Sequence, residues 1–288
     1  MLDNKGIENY NLLERNKCPL CKSPKSTIWD KNENNRIKAL QCYRCKLVFM
    51  DKIISNEDLN KYYSGYNIIR DNNYKKKKLL RKISYKQDYD FLLNYISDKG
   101  IILDIGCGFG DFLSLFNKTT KKIGYEVDLE AIKKGRSNYT NIQFIDSYNE
   151  LKKLKNIDTI IFRGSFQYLR HINSTLKLCY NILKHNGILS ILSLPNATSP
   201  LAMIQKEDWS MCNKIEHIHL FSPTSINYML KNKFKIIHMD YPYIGTPYED
   251  HEKDLESFID ICSKKKKPEE THFPFWGSLI HLIAKKVL

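Results

Sequence analysis

Residues 103–113 read Leu-Asp-Ile-Gly-Cys-Gly-Phe-Gly-Asp-Phe-Leu, with glycines at 106, 108 and 110 between an apolar run and an amphipathic one. That order predicts a strand, a sharp turn and a helix, because glycine alone turns the backbone tightly and lets a ligand approach it closely. Further apolar runs follow at Lys122–Glu126, Ile142–Ile145, Thr159–Phe162 and Ile188–Leu194. Stretches with helical spacing separate them, at about 111–117, 129–138, 149–154 and 173–185. Strand and helix in alternation predict an α/β fold, a parallel sheet covered by helices on both faces. After Pro195 the alternation stops. Residues 196–221 read as an irregular cap, 223–232 as a helix and 234–240 as a strand. An aromatic and charged insert fills about 241–272, and Ser278–Lys285 is the expected last strand.

The N-terminal third is organised differently. Residues 1–14 read as an extension, and 15–52 contain Cys18-Pro-Leu-Cys21 and Cys42-Tyr-Arg-Cys45. Two such knuckles can bring four thiolates into a tetrahedron around Zn²⁺, and the loop between them is long enough for a hairpin. Reduced thiols without metal are the alternative. Lys22 and Lys46 stand just after the second cysteine of each pair, where glycine would relax the turn. So small a module lacks a core of its own, which makes the metal structural. Residues 53–99 read as a helical linker, with Leu79, Leu80, Ile83, Tyr89, Leu92, Leu93 and Ile96 at roughly helical spacing. Residues 100–288 then form the main domain.

The formal net charge is +14. It is spread along a chain rich in Lys, Asn and Ile, with dense runs at Lys75–Lys78 and Lys264–Lys267 that read as solvated surface. Nucleic acid, anionic lipid and phosphorylated substrates remain open as partners. No apolar run is long enough to span a bilayer, and the polar N-terminus lacks a secretory signal's apolar stretch. The expected location is the cytoplasm. Close cysteine pairs there favour metal over disulfides.

A second acid, Glu126, ends the next strand in Ile123-Gly124-Tyr125-Glu126-Val127-Asp128. A carboxylate in that place can accept both hydroxyls of a ribose. Dinucleotide sites space their glycines as G-x-G-x-x-G, whereas this chain has G-x-G-x-G with Asp104 two residues ahead. The pattern resembles the first motif of the class I S-adenosylmethionine (SAM) dependent methyltransferases. The order of pieces resembles the small members with an N-terminal zinc ribbon: the cysteine pairs, Tyr62-Tyr63, the glycine turn, and Leu183-Lys184-His185-Asn186-Gly187. Leu194-Pro195-Asn196, Trp209 and Glu216–Ser222 continue it.

The resemblance implies a Rossmann-like sheet, SAM as cofactor and a structural zinc held by Cys18, Cys21, Cys42 and Cys45. Asp104, Gly106, Cys107 and Gly108 would surround the methionine part of SAM. Glu126 would hold the ribose, and Asp146 and Ser147 would lie beside the adenine. Phe162, Arg163 and Gly164 would floor the site. Relatives often have Glu-His after the fourth strand, where this chain has Gln167-Tyr168.

Methyl transfer from a sulfonium needs an in-line nucleophile and a dry site. An alcohol acceptor also needs its proton taken, which suits histidine near neutral pH. His217 and His219 are the candidate bases, with Tyr168 and His171 behind them; a packed histidine in the cap is the alternative. Trp209 and Tyr241 could wall a sugar or belong to the core. The Asn/Asp-Pro-Pro-aromatic tetrad of amino-methylating nucleic-acid enzymes is missing, since Arg163-Gly164-Ser165-Phe166 stands there. The expected acceptor is a small molecule, a sugar or nucleotide-linked sugar methylated on oxygen. An RNA or protein methyltransferase that docks through the ribbon, or a non-catalytic SAM-binding protein, is the other reading.

Overall fold

The computed structural model describes residues 10–30, 36–63, 66, 78–247, 249–265 and 275–287. Residues 1–9, most of the first lysine run and the end of the second lie outside them.

The chain begins with five short strands: β1 (Leu12–Glu14), β2 (Ser26–Ile28), β3 (Ala39–Cys42), β4 (Val48–Met50) and β5 (Lys52–Ile54). Helices α1 (Asn56–Tyr63) and α2 (Lys78–Leu93) lead into β6 (Ile101–Ile105). There follow β7 (Lys121–Tyr125), α3 (Leu129–Asn138), β8 (Ile142–Ile145), α4 (Tyr148–Lys153), β9 (Ile157–Arg163), α5 (Ile172–Ile182) and β10 (Leu183–Pro195). The remainder is α6 (Pro200–Gln205), β11 (His219–Leu220), α7 (Pro223–Leu230), β12 (Phe234–Asp240), α8 (His251–Cys262) and β13 (Leu279–Lys286).

Seven strands form the central sheet in the order β12-β13-β10-β9-β6-β7-β8. β6 to β10 run parallel, and β13 enters antiparallel between β10 and β12. The sheet is therefore mixed at one edge, where a wholly parallel one was expected. Side-chain alternation feeds two cores. Leu103, Ile160 and Phe162 pack with Leu176 and Cys179 of α5. Their neighbours Ile102 and Ile161 pack on the other face with Leu92 of α2 and Phe112. Both faces are covered, as the alternating pattern requires.

Three expectations differ. The stretch 111–117 holds only a 3-10 turn, Leu113–Leu115, and not an α-helix. Helix α8 forms inside the insert at 241–272, started by the side chain of Asp250, which accepts from Lys253 N. Leu12–Glu14, assigned to a loose extension, pairs antiparallel with Lys52–Ile54.

The paired cysteines belong to a second sheet, β11-β4-β3-β2, whose β11 comes from the cap. A third core fills the seam. Trp29, Val48 and Met50 meet Tyr62, Trp209 and Ile218 there. Trp209 is thus a core residue at 2% exposure, not a wall of an open pocket.

Candidate active site

The C-terminal ends of the parallel strands carry the chemistry-bearing residues, as in other open α/β sheets. The chain leaves β6 through Gly106 at φ +83° and Gly110 at φ +86°. A Cβ at Gly106 would stand 2.6 Å from the Cβ of Ser165, and one at Gly110 2.8 Å from Phe144. Both the turn and the close packing therefore require glycine. The amides of Gly106 and Cys107 donate to Tyr125 O at 2.8 and 3.2 Å, which seats the loop over the end of β7.

Glu126 follows β7 and is buried. Its Oε2 accepts from Gly108 N at 2.8 Å, and its Oε1 from Val127 N at 2.8 Å and Asp128 N at 3.1 Å. Burial raises its carboxyl pKa, and these three N–H groups oppose the rise. The single bond at Oε2 leaves that oxygen with a lone pair for a further donor.

Asp104 is 2% exposed, and its Oδ1 has no hydrogen-bond partner among the described residues. Burial pushes its pKa up to about 7, Arg163 opposes the shift and Glu126 adds to it. A buried carboxylate oxygen without a donor is costly, and a cationic or N–H ligand would complete it.

Cys107 turns its thiol inward, so that a Cβ at Gly124 would lie 2.6 Å from its sulfur. Burial raises the pKa of that thiol well above its ordinary value. What Cys107 offers a ligand is its backbone. Asp146 is exposed at the end of β8. Ser147 caps α4, its Oγ accepting from Asn149 N at 3.2 Å.

Arg163 is a correction. Its side chain does not lie along the floor of the glycine turn but reaches α2. There Nε donates to Asp88 Oδ2 at 2.7 Å, and Nη2 to Ser84 Oγ at 3.1 Å. The guanidinium lies 4.0 Å from the Tyr85 ring centroid. Asp88 Oδ1 pairs in turn with His281 Nε2 at 2.7 Å. The network spans residues 88 to 281, so no local pattern announces it.

The two candidate bases have different surroundings. His217 Nδ1 lies 2.6 Å from Met211 O, a pure acceptor, so Nδ1 carries the proton in the neutral ring. Its Nε2 is then an acceptor, 3.3 Å from the Tyr168 hydroxyl. His219 is a second correction. Its ring is wholly buried in β11, and Nε2 lies 2.9 Å from Arg15 Nη2. Burial first, then Arg15, holds its pKa well below the usual value. It is a packed histidine between ribbon and cap. His171 is exposed at the start of α5.

Tyrosines gather on this side. Tyr62 and Tyr66 donate to Glu216 Oε1 and Oε2 at 2.8 and 3.0 Å. Burial raises the Tyr63 phenol, and Tyr168, Glu216 and Glu126 raise it further. The Tyr63 ring packs edge-on against Tyr62 and Tyr66, with centroids 5.3 and 5.6 Å apart. Sequence reasoning noted Tyr62-Tyr63 but gave them no role; the return of α1 onto the cap brings Tyr62 to Glu216.

The thiols of Cys18, Cys21, Cys42 and Cys45 lie within 4.8 Å of one another. Cys18 and Cys45 are 3.5 Å apart, and Cys21 and Cys42 3.4 Å. Lys22 and Lys46 take φ of +62° and +61°, the left-handed turn that glycine would adopt without strain.

Comparison with known proteins bears on the family and the fold. The model of a methyltransferase domain family matches residues 77–237. The malonyl-[acyl-carrier protein] O-methyltransferase of Bacillus cereus is 24% identical over 166 residues, 56% of this chain and 60% of that relative. The chain thus spans less than two thirds of that relative's length. Geranyl diphosphate C-methyltransferase from Streptomyces coelicolor, solved with S-adenosyl-L-homocysteine, superposes with a TM-score of 0.51 at 13% identity, covering 70% of this chain and 76% of that one. A chain from the Haloferax volcanii complex of the Trm112 methyltransferase activator with a methyltransferase gives 0.55 at 11% identity, covering 78% and 96%. The sheet is that of the Rossmann-like class I enzymes, and the chain belongs to the methyltransferase domain family.

Proposed function

We propose that this protein moves a methyl group from SAM to an oxygen of a small-molecule acceptor, a sugar or nucleotide-linked sugar. The observation that carries the proposal is the pair of buried carboxylates flanking the glycine turn, with Asp104 Oδ1 lacking a donor. SAM supplies an ammonium, two ribose hydroxyls and an activated methyl on a sulfonium. Asp104 would accept from the ammonium, and Glu126 Oε2 from a ribose hydroxyl. The amides of the turn 106–108 would line the methionine portion, and Asp146 and Ser147 the adenine. Arg163 acts at a distance, lowering the cost of the Asp104 charge. On the acceptor side, His217 Nε2 would take the proton, directly or through the Tyr168 hydroxyl. The tyrosine rings offer faces on which a sugar can pack.

The four cysteines fit Zn²⁺. A tetrahedral site with Zn–S near 2.3 Å spaces its sulfurs by about 3.8 Å, close to the 3.4 and 3.5 Å observed. Four thiolates close the coordination shell, so the metal would be structural. We read residues 15–52 as the ribbon, 53–99 as the linker and 100–288 as the catalytic region. Among the described residues no helix is long and apolar enough to cross a membrane.

Calorimetry of SAM binding tests the cofactor site. Glu126→Ala should weaken binding more than about tenfold, since it removes a ribose partner and frees three loop N–H groups. Unchanged affinity would refute the ribose assignment.

A further inference from the structure

The turn after β9 holds a buried group that the chemistry above does not use. Gln167, in the 3-10 turn Phe166–Tyr168, is 3% exposed. Its Nε2 donates to Gly164 O at 3.0 Å. A carbonyl oxygen can only accept, so this contact fixes which end of the amide is nitrogen. The other end, Oε1, has no hydrogen-bond partner among the described residues. A buried amide oxygen without a donor is costly, and a ligand that brings an N–H group would complete it.

Contacts place this amide beside the glycine turn. Ser165 Oγ donates to Ile105 O at 2.5 Å. The Ser165 Cβ stands 2.6 Å from where a Cβ on Gly106 would lie. Residues 164–167 are therefore docked on the two residues that follow Asp104. Phe166 anchors them to the core, its ring centroid 5.0 Å from that of Phe162 and 5.3 Å from that of Phe221. Gly164, at φ +62°, borders open space, since a Cβ there would meet no described atom within 4 Å. Two buried acceptor oxygens without donors, Asp104 Oδ1 and Gln167 Oε1, thus flank the adjoining ends of β6 and β9.

An ammonium brings three N–H donors, of which Asp104 Oδ1 would meet one. We propose that Gln167 Oε1 accepts a second, so that the two side chains share the ammonium of SAM. The proposal rests on the reading of the glycine turn as the SAM site. The charges nearby favour an amide in this place. Asp104 and Glu126 already set two buried carboxylates beside the turn. A third acid would repel both, whereas an amide oxygen supplies an acceptor with no added charge. Gln167, which the sequence marks only as a departure from related chains, then has a role of its own.

Calorimetry on the full chain tests this with two probes. One is S-adenosylhomocysteine. The other is its analogue with 4-mercaptobutanoate in place of homocysteine, which lacks only the ammonium. Gln167→Met keeps the side chain's length and removes the acceptor. It should weaken S-adenosylhomocysteine about tenfold, the worth of one hydrogen bond to a charged group. It should leave the affinity for the analogue at the wild-type value, which also verifies folding. Gln167→Glu, which keeps an acceptor oxygen for the incoming positive charge, should lose less. Unchanged affinity of Gln167→Met for S-adenosylhomocysteine overturns the proposal and leaves the cofactor reading intact. An equal loss with both probes, or an equal loss in both variants, also overturns it and makes Gln167 a packing residue. If the wild-type protein binds neither probe, the cofactor reading itself falls, and the proposal with it.

Discussion

At the scale of single residues, Asp104 makes the sharpest prediction. Its carboxyl titrates near 7 because it is buried without a donor. Below that pH the free protein holds Asp104 neutral, and an incoming ammonium must first displace the proton. SAM affinity should therefore rise with pH through about 7 and level off above it, with a proton released on binding at lower pH. Asp104→Asn should bind more weakly and remove the pH dependence. Calorimetry in buffers of different ionisation enthalpy between about pH 5.5 and 7.5 reads both effects; an unchanged slope in Asp104→Asn would assign the titration elsewhere. His217 calls for a different measurement. Its Nε2 accepts because Nδ1 is committed to Met211 O. His217→Ala should lower turnover more than it weakens SAM binding, and the reverse pattern would make the ring structural. The sequence offered both His217 and His219, with His217 first. His219 lies in β11, buried by its pairing with β4, whereas His217 follows the turn 214–216 outside the strand, and no local pattern separates the two.

At the scale of elements, the ribbon and the cap form one sheet, since His219–Leu220 pairs with Val48–Phe49. If the four cysteines hold the proposed Zn²⁺, losing it should loosen residues far from them. Cys42→Ser, or prolonged chelation, should raise hydrogen exchange at 37–50 and also at 215–221, with β6 and β9 little changed. Exchange confined to the ribbon would separate the two elements. Much of this level was legible beforehand. β6, β8 and β12 form where apolar runs predicted them, and the turn that the glycines predicted brings Gly108 N to Glu126 within about twenty residues of chain. What stayed hidden lacks a local signal. β11 has two residues, too few for any periodicity. Helix α8 carries exposed Leu255 and Ile259 beside buried Asp254, which blurs its apolar stripe. The Arg163–Asp88–His281 chain joins three elements that only the closed sheet brings together.

At the scale of the whole molecule, an ion pair ties the ribbon to the cap through the third core. Lys214 Nζ donates to Asp30 Oδ2 at 2.6 Å and to Ile37 O at 3.0 Å. The two side chains are 7% and 0% exposed. Asp30 Oδ2 also accepts from Ala39 N at 3.1 Å, so the carboxylate pins β3 as well. Desolvating both charges offsets much of their attraction, and the intact pair adds little net stability over an apolar replacement. Breaking it is another matter. Lys214→Met keeps the volume but takes away the buried cation that Asp30 Oδ2 meets, which should cost about 3–5 kcal/mol. Adding Asp30→Asn removes the carboxylate while its amide oxygen can still accept from Ala39 N. The double variant should therefore be more stable than Lys214→Met alone by at least about 1 kcal/mol, the non-additivity expected of residues in contact. Urea denaturation of the four members of the cycle measures it. If the double variant falls to the sum of the single ones, the pair does not couple ribbon to cap. The Trp29–Trp209 core must then hold the two together by apolar burial alone.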